Sequence, residues 1–584
     1  MNSDSKQGRT PRDRSSRNTD HRNWSNNKVQ VTSKPLKIIP LGGLDGIGKN
    51  MTSLEYNGQM IIIDAGLMFP DDDHPGVDLI LPDYSYLVEN AQRLKAIIIT
   101  HGHEDHTGAL PYLLKDLGRQ DLPIYGSKLT LGLIEGKLAE HRIKNPPFRE
   151  VKASEQLTIG DFKVEFFSVN HSIPAALGLF IRTPAGSVLH TGDFKLDQTP
   201  IDGVFTDYQS ITRFAESGID LMLSDSTNAV NRGFTQSEAE VGKVLQSIVK
   251  NAEKRVIVAA FSSHIHRIQQ VCDAAVAAGR KIAVTGRSML TNTQIAQELG
   301  YLRVPADSII DAYNAKDIPR NDIVILCTGS QGEPLSALAR MANGEHRTVP
   351  IEAGDTVIIS ASPVPGNEKA VTRVINALSK IGAEVYDKQR DLVHVSGHAS
   401  AEELKLMMVM ARPRGFMPVH GETRHLRAHA KLAEDVGVSR KSIYVLENGD
   451  CLLMENGKLR RGEPVESGII YVDGLSVGDI SAVVLKDRQT LASDGVVTVV
   501  CQVRSKDGRP VGHPEVIMRG VAGSEDNELL ADLVSIVEKT AASFAKDQHL
   551  NTNQLKRALR ERILGLLWER AHRRPMVIPL ILEV

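Results

Sequence analysis

From Leu36 onward the apolar residues come in short blocks, each closed by glycine, proline or a polar cluster. The stretch LKIIPLGGLDGIGKNMTSLEYNGQMIIIDAG reads as strand, glycine-rich loop, strand and strand, with YNGQ as a hairpin turn. LKAIIIT predicts a strand and GALPYLLKDLG a short helix; LPIYGS and KLTLGLIEGKLAEH repeat that order. Between about 150 and 195, FKVEFFSVN, GLFIRTPAG and GSVLHTGDF predict an antiparallel run. Meandering strands interleaved with helices imply packed sheets with helices outside.

From about 225 to 390 the texture changes. RVIVAAFSS, RKIAVTG, NDIVILCTGS and GDTVIISASP are short apolar strands, several leading into helical stretches such as HIHRIQQVCDAAVAAG. Alternating β and α implies a parallel sheet. AEELKLMMVMA, GFMPVHG and TRHLRAHAKLAEDVG follow, then a turn-rich connection. The last hundred or so residues predict strands at SAVVLKD and GVVTVVCQVR, then helices and a final MVIPLILEV, as a separate small α/β domain.

Length and composition add bounds. A chain of 584 residues is too long for one core and implies about three domains. The 41% hydrophobic and 24% charged content is ordinary for a soluble protein, and no apolar run is long enough to span a membrane. No secretory leader is evident at the N-terminus, and the four cysteines show no CxxC spacing, which points to a reducing, cytoplasmic setting. Net charge is −2, so nucleic acid could be attracted only through local patches. One such patch is the tail 1–34, where Lys6, Arg9, Arg12, Arg14, Arg17, Arg22, Lys28 and Lys34 face only Asp4, Asp13 and Asp20. It has too little apolar surface to order itself and is either a solvated leader or a weak nucleic-acid-attracting arm.

The chemistry is concentrated in IIITHGHEDHTGALPYLL, where His101, His103, Asp105 and His106 follow an apolar strand. Imidazole and carboxylate at this density are ligands for Zn²⁺ or Mn²⁺. So short a loop cannot aim all four at one ion, so His101 and His103 would serve one site and Asp105 and His106 a second. Further ligands must come from elsewhere. His171, Asp193 and His420 each stand at the end of an apolar strand, and Asp64 is a carboxylate placed to orient a ligating histidine.

HGHEDH with the downstream NHS and TGDF resembles the metallo-β-lactamase fold. That resemblance implies one zinc on His101, His103, His171 and Asp193 and a second on Asp105, His106 and Asp193. The β/α block, with LSDSTN, HVSGHAS and MPVHGE, resembles the β-CASP insertion of nucleic-acid-processing members, matching their motifs at Asp225, His398 and His420. Within that group LGGLDGIGKN, DAGLMFPDD, THGHEDHTG, CTGSQGEP, PVPGNE and RRPMVIPLILEV are similar to the bacterial ribonuclease J family, from about Leu36 to Val584. FSSHIHRIQQ departs from it, with His264 where the family is expected to carry Asn.

The implied architecture is α/β: an αββα metallo-β-lactamase sandwich, an inserted parallel β-CASP domain and a small C-terminal α/β domain. Its expected divisions are a disordered basic tail (1–34), the first part of the metallo-β-lactamase domain (35–225), β-CASP (226–390), a return segment (391–454), a linker (455–484) and the C-terminal domain (485–584). The implied activity is a two-metal ribonuclease, 5′-to-3′ exonucleolytic on 5′-monophosphate RNA with endonuclease ability, in RNA processing and decay. Single-stranded RNA is the expected partner, alongside a homodimer or tetramer through the C-terminal domain and RNA-decay proteins.

Roles follow for single residues. Asp105 would accept or orient the water's proton. His398 would protonate or support the leaving 3′-oxygen, as its family counterpart implies, with Asp225 fixing a histidine tautomer. Three Gly/Ser loops could cradle phosphates or be ordinary turns: Gly329 and Ser330 in CTGSQGEP; Ser362, Gly366 and Asn367 in SASPVPGNE; and His394, Val395, Ser396, Gly397 and His398 in HVSGH. In the family such loops line a 5′-monophosphate pocket. Phe261 and Ser262 could meet terminal nucleotides, Phe261 equally being core. The resemblance also suggests a structural Ca²⁺ or Mg²⁺ at Gly76, Asp78 and Asp473. In the last helix, Leu555, Leu559, Ile563, Leu566 and Leu567 form a stripe for a core or subunit interface. The competing readings are a small-molecule metallohydrolase of the same fold, a β-CASP nuclease acting on DNA, and a non-enzymatic RNA-binding scaffold.

Overall fold

Two mixed sheets face each other across one apolar layer. The computed structural model describes residues 34–584 except 72, 120, 334, 365, 475, 479, 522–525 and 546–550. The basic tail expected over 1–34 therefore lies outside the described residues, except for Lys34. The first sheet has eight strands in the order Lys458–Arg461, Leu452–Glu455, Leu36–Gly42, Met51–Tyr56, Gln59–Ile63, Leu94–Ile98, Ile124–Gly126, Phe148–Glu150. The second has six: Gly415–Val419, Leu221–Asp225, Gly186–His190, Leu177–Thr183, Phe162–Ser168, Gln156–Ile159. Alternation decides the packing. Ile38, Leu54, Ile61, Ile63 and Ile98 meet Phe166, Leu179, Val188, Leu223 and Met417 between the sheets. The opposite faces carry Ile39, Ile62 and Ile97 under helices Leu110–Leu117 and Lys128–Glu140, and Phe180, Leu189 and Met222 under helices Tyr208–Ser217 and Ala401–Ala411. This is the metallo-β-lactamase αββα sandwich.

The chain leaves the sandwich after Leu221–Asp225 and returns as Gly415–Val419, its parallel neighbour, with Asp225 opposite Val419. Between them stands a six-stranded, wholly parallel sheet in the order Ile309–Asp311, Lys281–Thr285, Ile323–Cys327, Val256–Ala259, Thr356–Ile359, Glu384–Tyr386. Its central strands are buried on both faces, which is why they read as continuous apolar runs.

Segment 455–484, expected as a linker, is built into the sheets. Lys458–Arg461 extends the first sheet, and Ile469–Asp473 pairs with Leu79–Pro82. SAVVLKD is not a strand but the start of helix Ala482–Asp494. Ser481 caps it by accepting from Val484 N–H, and Leu485 packs against Val77, Ile80 and Ile480. Cap and contact override the β preference of Val483 and Val484. In the C-terminal unit Leu555, Leu559, Ile563 and Leu567 are fully buried against Leu533, Val537, Val497 and Val499, so that stripe is core; Leu566 is half-buried. Among the described residues no helix is long and apolar enough to cross a membrane.

Candidate metal centre

Strand Leu94–Ile98 carries the chain to the edge of the first sheet, where it turns into the one-turn helix Glu104–Thr107. His103 precedes that helix, and its carbonyl accepts from the N–H groups of His106 and Thr107. The turn sorts the side chains into two sets. His103 Nδ1 lies 3.1 Å from His101 Nε2 and 3.1 Å from His171 Nε2. On the other side, His106 Nε2 and His420 Nε2 each lie 3.5 Å from Asp105 Oδ2. Asp193 Oδ2 stands between the sets, 3.1 Å from His106, 3.3 Å from His420, 3.7 Å from His101 and 3.9 Å from His171. All but His103 and Asp105 are buried.

Partners behind the ligands fix which nitrogen points inward. Asp64 Oδ2 is 2.8 Å from His106 Nδ1, and its Oδ1 accepts from Thr100 N–H at 2.8 Å. Asp64 takes a left-handed φ of 62° to do this. His171 Nδ1 donates to Gly397 O at 2.8 Å. A Cβ at Gly397 would sit 2.8 Å from the His171 ring, so only glycine fits there. Both histidines thus turn Nε2 to the centre.

The protonation tendencies suit metal ligation. Burial, and then neighbouring histidines, push His101 and His171 well below the usual histidine value; burial brings His103 to about 4. These three are neutral donors. Burial opposes ionisation of Asp193 and Asp105, but His106 and His420 outweigh it and hold both carboxyls low. Against burial, Asp193 and Asp105 raise His106, and Asp193 raises His420. The carboxylates that would hold protons on these rings can hold cations instead.

The residues fit a pair of metal ions. Neither ring nitrogen of buried His420 makes a well-aligned hydrogen bond, Nε2 having only Asp193 at 3.3 Å and Asp105 at 3.5 Å beside it. Among the described residues only histidines form ion pairs with Asp64, Asp105, Asp193 and Asp225. One ion would lie among His101, His103 and His171, and the other among Asp105, His106, Asp193 and His420.

His398 joins this centre from the return segment. Its Nδ1 is 2.8 Å from Asp225 Oδ2 and 3.9 Å from Asp193 Oδ2. Against burial, Asp225 raises it to about 9. The Asp225 carboxylate thus engages Nδ1 and favours the protonated ring. Two residues not singled out from the sequence set its backbone: Asn228 Nδ2 donates to Ser396 Oγ and His398 O, and Thr235 Oγ1 donates to His398 O. Asn228 follows Asp225 in LSDSTN, so the motif held a usable signal; Thr235 had none.

The other expected loops leave adjacent strands of the inserted sheet. Gly329 (φ 109°) and buried Ser330 follow Ile323–Cys327, half-buried Phe261 and Ser262 follow Val256–Ala259, and Ser362 follows Thr356–Ile359. Gln331 ties two of these loops, donating to Ser362 O and accepting from Val364 N–H. Asn292 holds Ser262 Oγ at 3.2 Å. Gly366 (φ 98°) comes against Asp71 of the sandwich, and Asn367 precedes helix Glu368–Ile381. Val395 is buried, and His394 is half-buried with no partner for Nδ1. A cavity of about 590 Å³ opens between the domains, lined by Glu104, Lys137, Asn292, Arg287, Arg340 and His346 among others.

At Gly76, Asp78 and Asp473 the residues do not fit the expected divalent ion. Arg488 donates to Gly76 O at 2.8 Å and to Asp473 Oδ2 at 2.6 Å, while Asp78 Oδ2 accepts from Gly474 N–H. A guanidinium already supplies the positive charge there.

Family models match along most of the chain: a beta-lactamase superfamily domain over residues 61–228, the ribonuclease J beta-CASP domain over 253–378, a Zn-dependent metallo-hydrolase RNA specificity domain over 382–446, and the ribonuclease J C-terminal domain over 483–584. A Ribonuclease J of Mycolicibacterium smegmatis is 44% identical over 549 residues, covering 94% of this chain and 97% of that one. A Ribonuclease J2 of Bacillus subtilis is 40% identical over 551 residues, covering 94% and 99%. A Ribonuclease J of Thermus thermophilus is 42% identical over 557 residues, covering 94% and 95%. A solved structure from Enterococcus faecalis V583, titled a protein of unknown function, matches with TM-score 0.50 at 14% identity over 72% of this chain, which speaks to fold alone. Given this coverage, and a centre of histidines and aspartates able to hold metal, the chain belongs to the ribonuclease J family of metal-dependent RNA hydrolases.

Proposed function

We propose that this ribonuclease works with two Zn²⁺ or Mn²⁺ ions and degrades single-stranded RNA 5′-to-3′ from a 5′-monophosphate, with additional internal cleavage. The observation that carries the two-ion reading is Asp193 Oδ2, which lies within 3.9 Å of histidines of both ligand sets. When bound, the ions would supply a water of lowered pKa and neutralise charge on the phosphodiester. The remaining work falls to this chain's own residues. Asp105, the least buried carboxylate of the centre, takes or orients the water's proton. His398, kept protonated by Asp225, gives a proton from Nε2 to the departing 3′-oxygen. Breaking the 3′-oxygen bond leaves a 5′-phosphate on the remaining RNA, so each product is the next substrate.

The 5′-phosphate preference is supported by three glycine- or serine-bearing segments: Gly329–Ser330 after Ile323–Cys327, Ser362 to Asn367 after Thr356–Ile359, and His394 to His398 on the returning segment. Their backbone N–H groups suit an anion. The cavity beside them, with Lys137, Arg287 and Arg340, suits a polyanionic strand. The test compares release of nucleotides from 5′-monophosphate and 5′-triphosphate forms of one RNA. Faster release from the monophosphate is expected; equal rates overturn the pocket. We also propose assembly through the open face of the C-terminal sheet, where Ile578, Leu580 and Leu582 are exposed along Met576–Glu583. Leu580→Asp should shift the mass by light scattering toward the monomer; an unchanged mass removes that interface.

A further inference from the structure

Arg267, on helix Ile265–Ala277 of the inserted domain, is completely buried. Its Nε donates to Gln270 Oε1 at 2.9 Å, Nη1 to Val393 O at 2.6 Å and to Ser360 Oγ, and Nη2 to Glu238 Oε2 at 2.5 Å. Ser360 Oγ donates to the same Val393 O at 2.7 Å. Val393 immediately precedes His394, the start of the segment that reaches His171 through Gly397 and ends at His398. Glu238 continues the network the other way. Its N–H donates to Asp197 Oδ2 at 3.1 Å, and its Oε1 is 3.9 Å from Lys195 Nζ. Lys195 and Asp197 lie just beyond Asp193, on the loop that carries the central carboxylate. One buried polar chain thus runs from the Asp193 loop of the sandwich, through the first helix and the Arg267 helix of the insertion, to the backbone of the returning segment.

A buried ion pair gives little net stability over apolar residues of equal volume, so its use here points to geometry. A guanidinium offers five donors in a rigid plane, and here it spans acceptors on three separate segments. We infer that Arg267, held by Glu238, is a positioning residue: it sets the segment 393–398 at a fixed place relative to the Asp193 loop, so that bound RNA and the metal centre meet in register. This rests on the reading of 394–398 as an RNA-contacting segment. Misplacement by ~1 Å costs about 10²-fold in rate, so small changes in the fork are readable.

The test uses the full-length, metal-loaded protein and the variants Arg267→Lys, Glu238→Gln and the double Glu238→Gln/Arg267→Met. The measurements are metal content, thermal unfolding, kcat and KM on a 5′-monophosphate RNA, and hydrolysis of bis(p-nitrophenyl) phosphate, which needs the ions but neither RNA contacts nor, with p-nitrophenolate leaving, a proton from His398. Arg267→Lys should raise KM for RNA about tenfold, with metal content and small-diester hydrolysis near those of the unaltered protein. The double variant, with no lone buried charge of the pair, should recover unfolding temperature while KM stays raised. Recovery of both, or a parallel fall on both substrates, overturns the positioning role. His394→Ala tells the two readings apart. An unchanged KM there refutes RNA contact by the segment, and with it this inference. A raised KM there with an unchanged KM in Arg267→Lys refutes the positioning role alone.

Discussion

Two buried clusters of charge lie near each other and are neutralised in different ways. Around Asp193, four carboxylates (Asp64, Asp105, Asp193, Asp225) have, among the described residues, only imidazoles as ion-pair partners. Around Glu238, the carboxylate meets the guanidinium of Arg267, then the His264 ring and, farther off, the Lys195 ammonium. Burying charge is costly unless it is paired. The second cluster carries its own permanent cation and is closed. The first has only imidazoles as counter-charges, whose charge depends on a proton, and so is open to a divalent ion. Arg488 at Asp473 repeats the closed solution on a smaller scale. At Glu238 and at Asp473 an arginine occupies the place that the Asp193 cluster leaves to groups able to hold a metal.

The sharpest way to break that contrast is to remove ligands from the open cluster. Asp105→Ala with His106→Ala should bring RNA cleavage to background and bound metal from two equivalents to one, while gel-shift affinity for RNA stays within a few fold. Retained turnover rules out the two-ion role. Next, His398→Ala should lower kcat about 10²–10⁴-fold, the usual range for a lost general acid, with metal content unchanged. A loss of metal would make His398 a ligand instead. Asp64→Asn should weaken metal affinity about 10–100-fold, as for other groups that orient a ligating histidine, and excess Zn²⁺ or Mn²⁺ should restore activity. Failure of excess metal to restore it would remove the orienting role.

The smallest effect lies in the closed cluster. Burial opposes ionisation of Glu238, but Arg267 and His264 outweigh it and hold the carboxyl well below its usual 4.5. A depressed carboxyl contributes stability above its unfolded pKa, and that contribution is lost as pH falls through the folded one. Denaturation midpoints should therefore decline with acid below about pH 4.5, and Glu238→Gln should show a shallower decline. Equal slopes would mean that Glu238 is not held ionised.

The convergence of these side chains was legible because HGHEDH packs four metal-type side chains into one turn, and because His171, Asp193 and His420 each end a strand whose apolar run is unmistakable. Their sorting into two sets also followed from the shortness of the loop. The strands of 455–484 were hidden, since Lys458–Arg461 is a largely exposed edge and Ile469–Asp473 the half-exposed middle of a small three-stranded sheet, both with little apolar alternation. SAVVLKD misled because β-branched residues at a helix start look like a strand until the cap and the Leu485 contact are known. Arg267 and Arg488 could not be read at all. Each is one arginine on a helix of mixed composition, and only their distant partners, Val393 and Glu238 in one case and Gly76 and Asp473 in the other, give them meaning.

The parallel pairing of Leu221–Asp225 with Gly415–Val419 has a consequence for synthesis. Asp225 and His420 sit on neighbouring strands, yet the whole inserted domain is translated between them. At ordinary elongation rates this takes roughly 10–40 s. Throughout that interval the nascent chain holds the HGHEDH cluster but lacks His420, and for most of it lacks His398 as well. On the two-ion reading proposed above, the ligand set around Asp193 is completed only once the return strand has emerged and docked.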